Sequence, residues 1–129
     1  MNKVIIDTNI LVSALWLKNG NPNKIIGLIP EKIIIPYFCQ EILKEYRKVL
    51  RRPKFDFSPL EVNKLLRELL LYGVEVDPVK SDIPFVEEGD RIFYDAARVS
   101  GAVLITGNIK HYPSETFIMA PNDFLVKNF

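Results

Sequence analysis

The sequence predicts an α/β protein: a three-layer α/β/α arrangement around a central parallel sheet of about five strands. Three observations carry this. Short β-branched runs alternate with longer stretches of helical periodicity, the pattern of βαβ units. The first run, Val4-Ile5-Ile6, is apolar at every position, as a strand covered on both faces must be. And 129 residues, 48% of them hydrophobic, can bury roughly two-thirds of the unfolded chain's surface without disulfide support. That length fits one domain over residues 1–129.

The elements follow in order. Val4 to Ile6 is the first strand, and Ile10 to Trp16 a helix that stops before the turn residues Asn19-Gly20-Asn21-Pro22. Asn23 to Leu28 is a short helix. Lys32 to Phe38 is the second strand, weakened by Pro36, which lacks an N–H for the ladder. A helix opens at Cys39 or Gln40 and runs to about Arg51, where Pro53 stops it. Ser58-Pro59-Leu60-Glu61 has the spacing of a capping box, with Pro at the first helical position. The helix it opens sets Val62, Leu65, Leu66 and Leu69 on one face and ends at Gly73. Val74 to Val76 is the third strand, and residues 77–89 form a connection rich in Pro and acids. Asp90 to Ser100 is a helix, Ala102 to Thr106 the fourth strand, Phe117 to Met119 the fifth, and Asn122 to Lys127 a last helix.

Composition narrows function by exclusion. A formal net charge of +1 gives no global basic field, so any nucleic-acid site must be a local patch. A single cysteine, Cys39, and a single histidine, His111, exclude a Cys/His zinc site. No apolar run approaches the ~20 residues of a membrane span. Asp7 and Asn9 interrupt the first apolar run, which argues against a signal peptide. A soluble, cytoplasmic protein is expected. No Gly-rich phosphate loop follows the first strand.

In an open parallel sheet, sites form beyond the carboxyl ends of the strands. Asp7 follows strand one, Asn108 lies just past strand four, Asp90 opens the helix before strand four, and Glu41 and Glu45 lie on the helix after strand two. Clustered oxygen donors suit a hard cation such as Mg²⁺ or Mn²⁺. Simpler readings stand beside this one. Asp7 and Asp90 sit where helix caps sit. Asp95, four residues after Arg91 and three before Arg98, fits a solvated ion-pair face. Glu45 borders the apolar arc of its helix, whereas Glu41 lies with Lys44 and Lys48, so Glu45 is the favoured ligand. His111 reads as a loop histidine. Lys44, Arg47, Lys48 and Arg51 share a helix face, followed by Arg52 and Lys54, and make either a phosphate-binding patch or a solvated surface.

The pattern resembles the PIN domains, which include VapC-like ribonuclease toxins. VIIDTNILVSA resembles their first motif, Glu45-Tyr46-Arg47-Lys48-Val49-Leu50 the second, Asp90-Arg91-Ile92-Phe93-Tyr94-Asp95-Ala96-Ala97 the third, and GAVLITGN from Gly101 to Asn108 the fourth. Arg52-Pro53-Lys54-Phe55 is similar to a segment of the toxin–antitoxin branch of PIN proteins. The resemblance implies a Mg²⁺- or Mn²⁺-dependent endoribonuclease, the toxin of a prokaryotic pair, with a cognate antitoxin and a homodimeric state. It implies metal ligation by Asp7, Glu45, Asp90 and Asn108, with Thr106 holding a water or phosphate oxygen. Thr8 and Asn9 would brace Asp7, and Lys48, Arg51, Arg52 and Lys54 would bind RNA. Asn108 departs from the family's usual acid, which lowers ligand charge and implies millimolar metal dependence. A catalytically impaired RNA- or protein-binding module is the alternative. A receiver domain and an Asp-x-Asp phosphatase both fit less well, because Thr8-Asn9 stands where each needs a second acid.

Overall fold

A computed structural model describes residues 2–129. Five strands, β1 (Asn2–Ile6), β2 (Ile34–Phe38), β3 (Val74–Glu75), β4 (Val103–Ile105) and β5 (Ile118–Met119), form one sheet in the order β3-β2-β1-β4-β5. Every pairing is parallel. Six α-helices accompany it: α1 (Thr8–Trp16), α2 (Asn21–Gly27), α3 (Gln40–Leu50), α4 (Pro59–Tyr72), α5 (Arg91–Ser100) and α6 (Pro121–Asn128). Val4, Ile5 and Ile6 are all buried, so both faces of β1 are covered, as the unbroken apolar run requires. Tyr46, Phe93, Tyr94 and Phe124 are the largest buried side chains around it.

The expected elements are present with shifted ends. α1 begins two residues earlier than expected, directly after Asp7. β2 begins at Ile34 because Lys32 adopts a left-handed conformation (φ 62°) that no strand accommodates. Residues 88–90 form a 3-10 turn ahead of α5, so the helix starts at Arg91. Further 3-10 turns at Pro53–Phe55 and Ile109–His111 had no distinct sequence signal. The capping box does not form. Ser58 makes no side-chain cap bond, and Glu61 is instead ion-paired with Lys18, where a long flexible cation competes successfully for the carboxylate.

Pro36 lies inside β2, in register with Val4. Its carbonyl faces Gly73, and within a strand the nitrogen of a residue points the same way as its carbonyl. The missing N–H is therefore directed away from β1. On that side β3 reaches only Tyr37 and Phe38, so no ladder bond is lost. Gly73 is required by the same close approach. A Cβ there would stand 2.2 Å from the Leu69 carbonyl oxygen and 2.7 Å from that of Pro36. Both are backbone atoms and neither can rotate away. Gly73→Ala is expected to destabilise the fold by about 2–4 kcal/mol, as an overpacking substitution against fixed backbone does. Urea denaturation should show a lower midpoint with an unchanged slope.

Candidate functional site

The sheet order reverses at β1: the chain moves outward through β2 and β3, then returns to place β4 on the other side. The crevice between the carboxyl ends of β1 and β4 is therefore the topological switch point, where open α/β sheets bind ligands. Asp7 and Thr106 are the first residues beyond those two strands. The Asp7 N–H donates to the Ile105 carbonyl at 3.0 Å, which continues the ladder by one bond.

The Asp7 side chain is only 5% exposed. One of its oxygens, Oδ2, accepts from the Thr106 hydroxyl at 2.7 Å and from the Tyr112 hydroxyl at 3.0 Å. Both donors converge on that one oxygen and leave Oδ1 outside these bonds. Burial raises the Asp7 pKa, and the two hydroxyls and the N–H groups of Thr8 and Asn9 oppose the rise without cancelling it. The Tyr112 hydroxyl is held far above its ordinary pKa by burial and by the charges of Asp7 and Asp90, so it remains a donor. Behind the strand end, the buried Tyr46 hydroxyl donates to the Ile6 carbonyl.

Asp90 ends the 3-10 turn before α5. Burial raises its pKa first, and the charge of Asp7 raises it further, which places the two carboxylates within each other's field. The His111 Nδ1 stands 3.4 Å from Oδ2 of Asp90 and pulls its pKa down, yet Oδ2 is buried with no hydrogen-bond partner. Glu45 is half-buried on α3, and Glu41 is exposed. Both line an open cavity of about 640 Å³ between the ends of β2 and β3 and the start of α5, together with Glu75 and Asp95. Among the described residues, no three His, Cys, Asp or Glu side chains stand close enough to hold one metal ion together. The structure thus sets Asp7 and Asp90 within each other's field and puts Glu45 on the wall of a cavity that neither of them lines.

Several sequence-based roles change. Thr106 is fully buried, its hydroxyl donating to Asp7 and accepting the Asn108 N–H at 3.0 Å. It cannot also present that hydroxyl to a substrate, and it positions Asp7 instead. Neither Thr8 nor Asn9 hydrogen-bonds the Asp7 side chain through its own side chain. The Thr8 hydroxyl is buried without a partner, and Tyr112 braces the Asp7 carboxylate. Asp7 occupies the N-cap position of α1 but forms no side-chain cap bond. Asp95 is not solvated. It is 3% exposed, accepts the Ser81 N–H at 3.2 Å, and keeps one oxygen unpartnered, because the connection before α5 folds over it. Asn108 is exposed and contributes its backbone N–H to the Thr106 bond.

Lys48, Arg51, Arg52 and Lys54 are exposed. Among the described residues, the ion pairs are Lys18–Glu61, Arg91–Glu88 and His111–Asp90, so these four cations are not neutralised by Glu41 or Glu45. Arg51 donates to Asn63 at 3.2 Å.

Residues 3–110 match the family model described as PIN domain. The chain belongs to the PIN domain family. It is also 36% identical over 109 residues to an uncharacterized protein of Methanocaldococcus jannaschii, an alignment covering 82% of this chain and 70% of that relative. PIN domains are generally nucleases and generally use divalent metals. The Asp7–Asp90 neighbourhood lies at the position this PIN domain's topology reserves for a ligand. Among the described residues of this PIN domain, no helix is long and apolar enough to cross a membrane.

The raised Asp7 pKa sets a pH dependence. A carboxyl whose folded pKa lies above its unfolded value binds a proton more readily when folded, so its ionised form costs stability at neutral pH. The cost is absent below the unfolded value near 3.8 and appears as pH rises through the folded pKa. Asp7→Asn, which still accepts from Thr106 and Tyr112, is expected to stabilise the fold by on the order of 1 kcal/mol at pH 7. Chemical denaturation should show that gain shrinking as pH falls toward 4. Tyr112→Phe removes a donor, and NMR titration should place the Asp7 pKa higher than in the wild type.

Proposed function

We propose that this chain is a metal-dependent endoribonuclease, a single catalytic domain acting as the toxin of a prokaryotic toxin–antitoxin pair. The observation that carries the reading is a pair of mutually repelling carboxylates near the switch point: Asp7, buried and held by neutral hydroxyls, and Asp90, half-buried with its Oδ2 out of water and without a hydrogen-bond partner. Such a pair is costly unless a cation joins it. The donor chemistry suits a hard divalent ion: the Asp7 and Asp90 carboxylates would hold it, and the Glu45 carboxylate and Asn108 amide are the further oxygens this reading recruits, although among the described residues no three acids stand together without the ion. Bound there, Mg²⁺ or Mn²⁺ would lower the pKa of a water and stabilise charge gathering on the scissile phosphate.

The chain's own groups do the rest. The Thr106 and Tyr112 hydroxyls hold one oxygen of Asp7, so its carboxylate has little freedom left to lose on binding. His111 stands 3.4 Å from the Asp90 carboxylate and lowers the cost of its charge. Lys48, Arg51, Arg52 and Lys54 hold the RNA backbone, a sequence-independent grip. An antitoxin covering the crevice, and dimerisation, belong to the same reading, and expression that arrests growth unless a partner gene is present would support it.

The decisive assay is cleavage of single-stranded RNA with Mg²⁺ or Mn²⁺. Asp7→Asn and Asp90→Asn should each lower the rate at least about 100-fold, and unchanged cleavage by either would refute the assignment. Asn108→Asp, which restores a charge to the rim, should lower the metal concentration for half-maximal rate from the millimolar range. Impaired chemistry has one observation in its favour, the uncharged, exposed Asn108. In that case wild-type cleavage is absent and Asn108→Asp gains it.

A further inference from the structure

Trp16 closes α1 and is 61% exposed, although a lone tryptophan of this size is normally buried or bound. It does not stand alone. Its ring meets the edges of Phe55 at 5.6 Å and Phe57 at 6.3 Å, and those two rings stack at 5.2 Å with 12° between their planes. The residue between them, Asp56, adopts a left-handed backbone (φ 50°), which turns the chain tightly enough for neighbouring rings to stack. Lys54 Nζ lies 5.2 Å from the Phe55 ring centre. Arg51 and Arg52 are exposed on the same segment, and the nearby acid Glu61 is already paired with Lys18.

We infer that Trp16, Phe55 and Phe57 form a stacking platform for an unpaired base of single-stranded RNA, with Lys54, Arg51 and Arg52 holding the flanking phosphates. The inference deepens the ribonuclease reading and rests on it for the substrate class. Base stacking on exposed aromatic rings beside a cationic track is how sequence-tolerant binders grip single strands. Exposed Leu17 and Leu60 add apolar rim, which a protein partner would also use. The cations favour RNA: Arg51, Arg52 and Lys54 outnumber Asp56, the exposed acid between the two phenylalanines, and so leave a net positive surface for a polyanion, whereas an apolar protein interface excludes charge from its centre. Trp16 lies at the far end of α1 from Asp7, about 13.5 Å along the helix axis at 1.5 Å per residue. The platform is thus separate from the acids, so it acts on binding without entering the chemistry.

The chain contains one tryptophan, so its fluorescence reports on this surface alone. Wild-type protein in EDTA is titrated with single-stranded oligouridylate, and in parallel with an abasic strand of equal length. Quenching by oligouridylate, with clearly weaker quenching by the abasic strand, is expected. Trp16→Leu keeps apolar bulk and removes the ring, and its affinity, read by anisotropy of a labelled strand, should fall about 10-fold. With metal present the same variant should raise KM and leave kcat close to wild type. Unchanged emission with oligouridylate, equal quenching by the abasic strand, or wild-type affinity in Trp16→Leu overturns the platform. So does sedimentation showing a dimer that Trp16→Leu splits, which assigns the surface to a second copy. Quenching without any metal-dependent cleavage leaves the platform standing and overturns the ribonuclease reading instead. Cleavage with an unchanged KM in Trp16→Leu does the reverse.

Discussion

The desolvated carboxylate of Asp7 is the constraint around which the rest is arranged. It stands at the seam between β1 and β4, out of water and without a cationic side chain bonded to it. Two hydroxyls partly compensate, and they come from distant places: Thr106 from the end of β4 and Tyr112 from the loop beyond it. Thr106 is itself held by the Asn108 N–H, so the loop after β4 is bound to Asp7 through a short chain of hydrogen bonds. Neutral donors reduce the cost of burial without cancelling the charge. A charge kept negative and oriented is what a cation site needs, and an ion-paired carboxylate would not provide it.

A second layer of order lies around α5. Arg91 donates to the carbonyl of Ser81 at 2.7 Å and to its hydroxyl at 3.0 Å, and its guanidinium lies over Phe85 at 4.8 Å. Asp95, one turn on, accepts the Ser81 N–H. Both polar groups of one backbone residue are thus fastened to a single helix. This anchors the acid-rich connection that leads into Asp90, so the position of that second acid is set by side chains of its own helix as well as by the turn before it.

Most of the architecture was legible in the sequence because it rests on periodicity. The apolar run Val4–Ile6 and the alternation of short and long segments specify a covered parallel sheet, and Asp7 was read from the end of a strand and Asp90 from the start of the helix that precedes β4. What escaped was tertiary. Tyr112 has no motif spacing to mark it, and a tyrosine after a polar loop reads as an ordinary core residue. Its hydroxyl matters only because the loop returns to β1. Asp95 looked solvated because Arg91 and Arg98 flank it on one helix. Arg91 instead engages Ser81 and Glu88. The Ser58 cap was overridden by an ion pair between Lys18 and Glu61, 43 residues apart, and no local pattern encodes that pairing.

Tyr112 also bears on where the working unit stops. The family match ends at residue 110, two positions short of it. β5 lies further still, and its segment accepts the N–H groups of Leu104 and Thr106 through the carbonyls of Phe117 and Met119. A fragment trimmed to the matched stretch would keep the acids and lose one of the two donors that orient Asp7, together with the outer strand that supports β4. The segment diagnostic of ancestry and the segment sufficient for a properly oriented carboxylate are therefore not the same, and grafting this unit into another protein requires carrying the chain through β5.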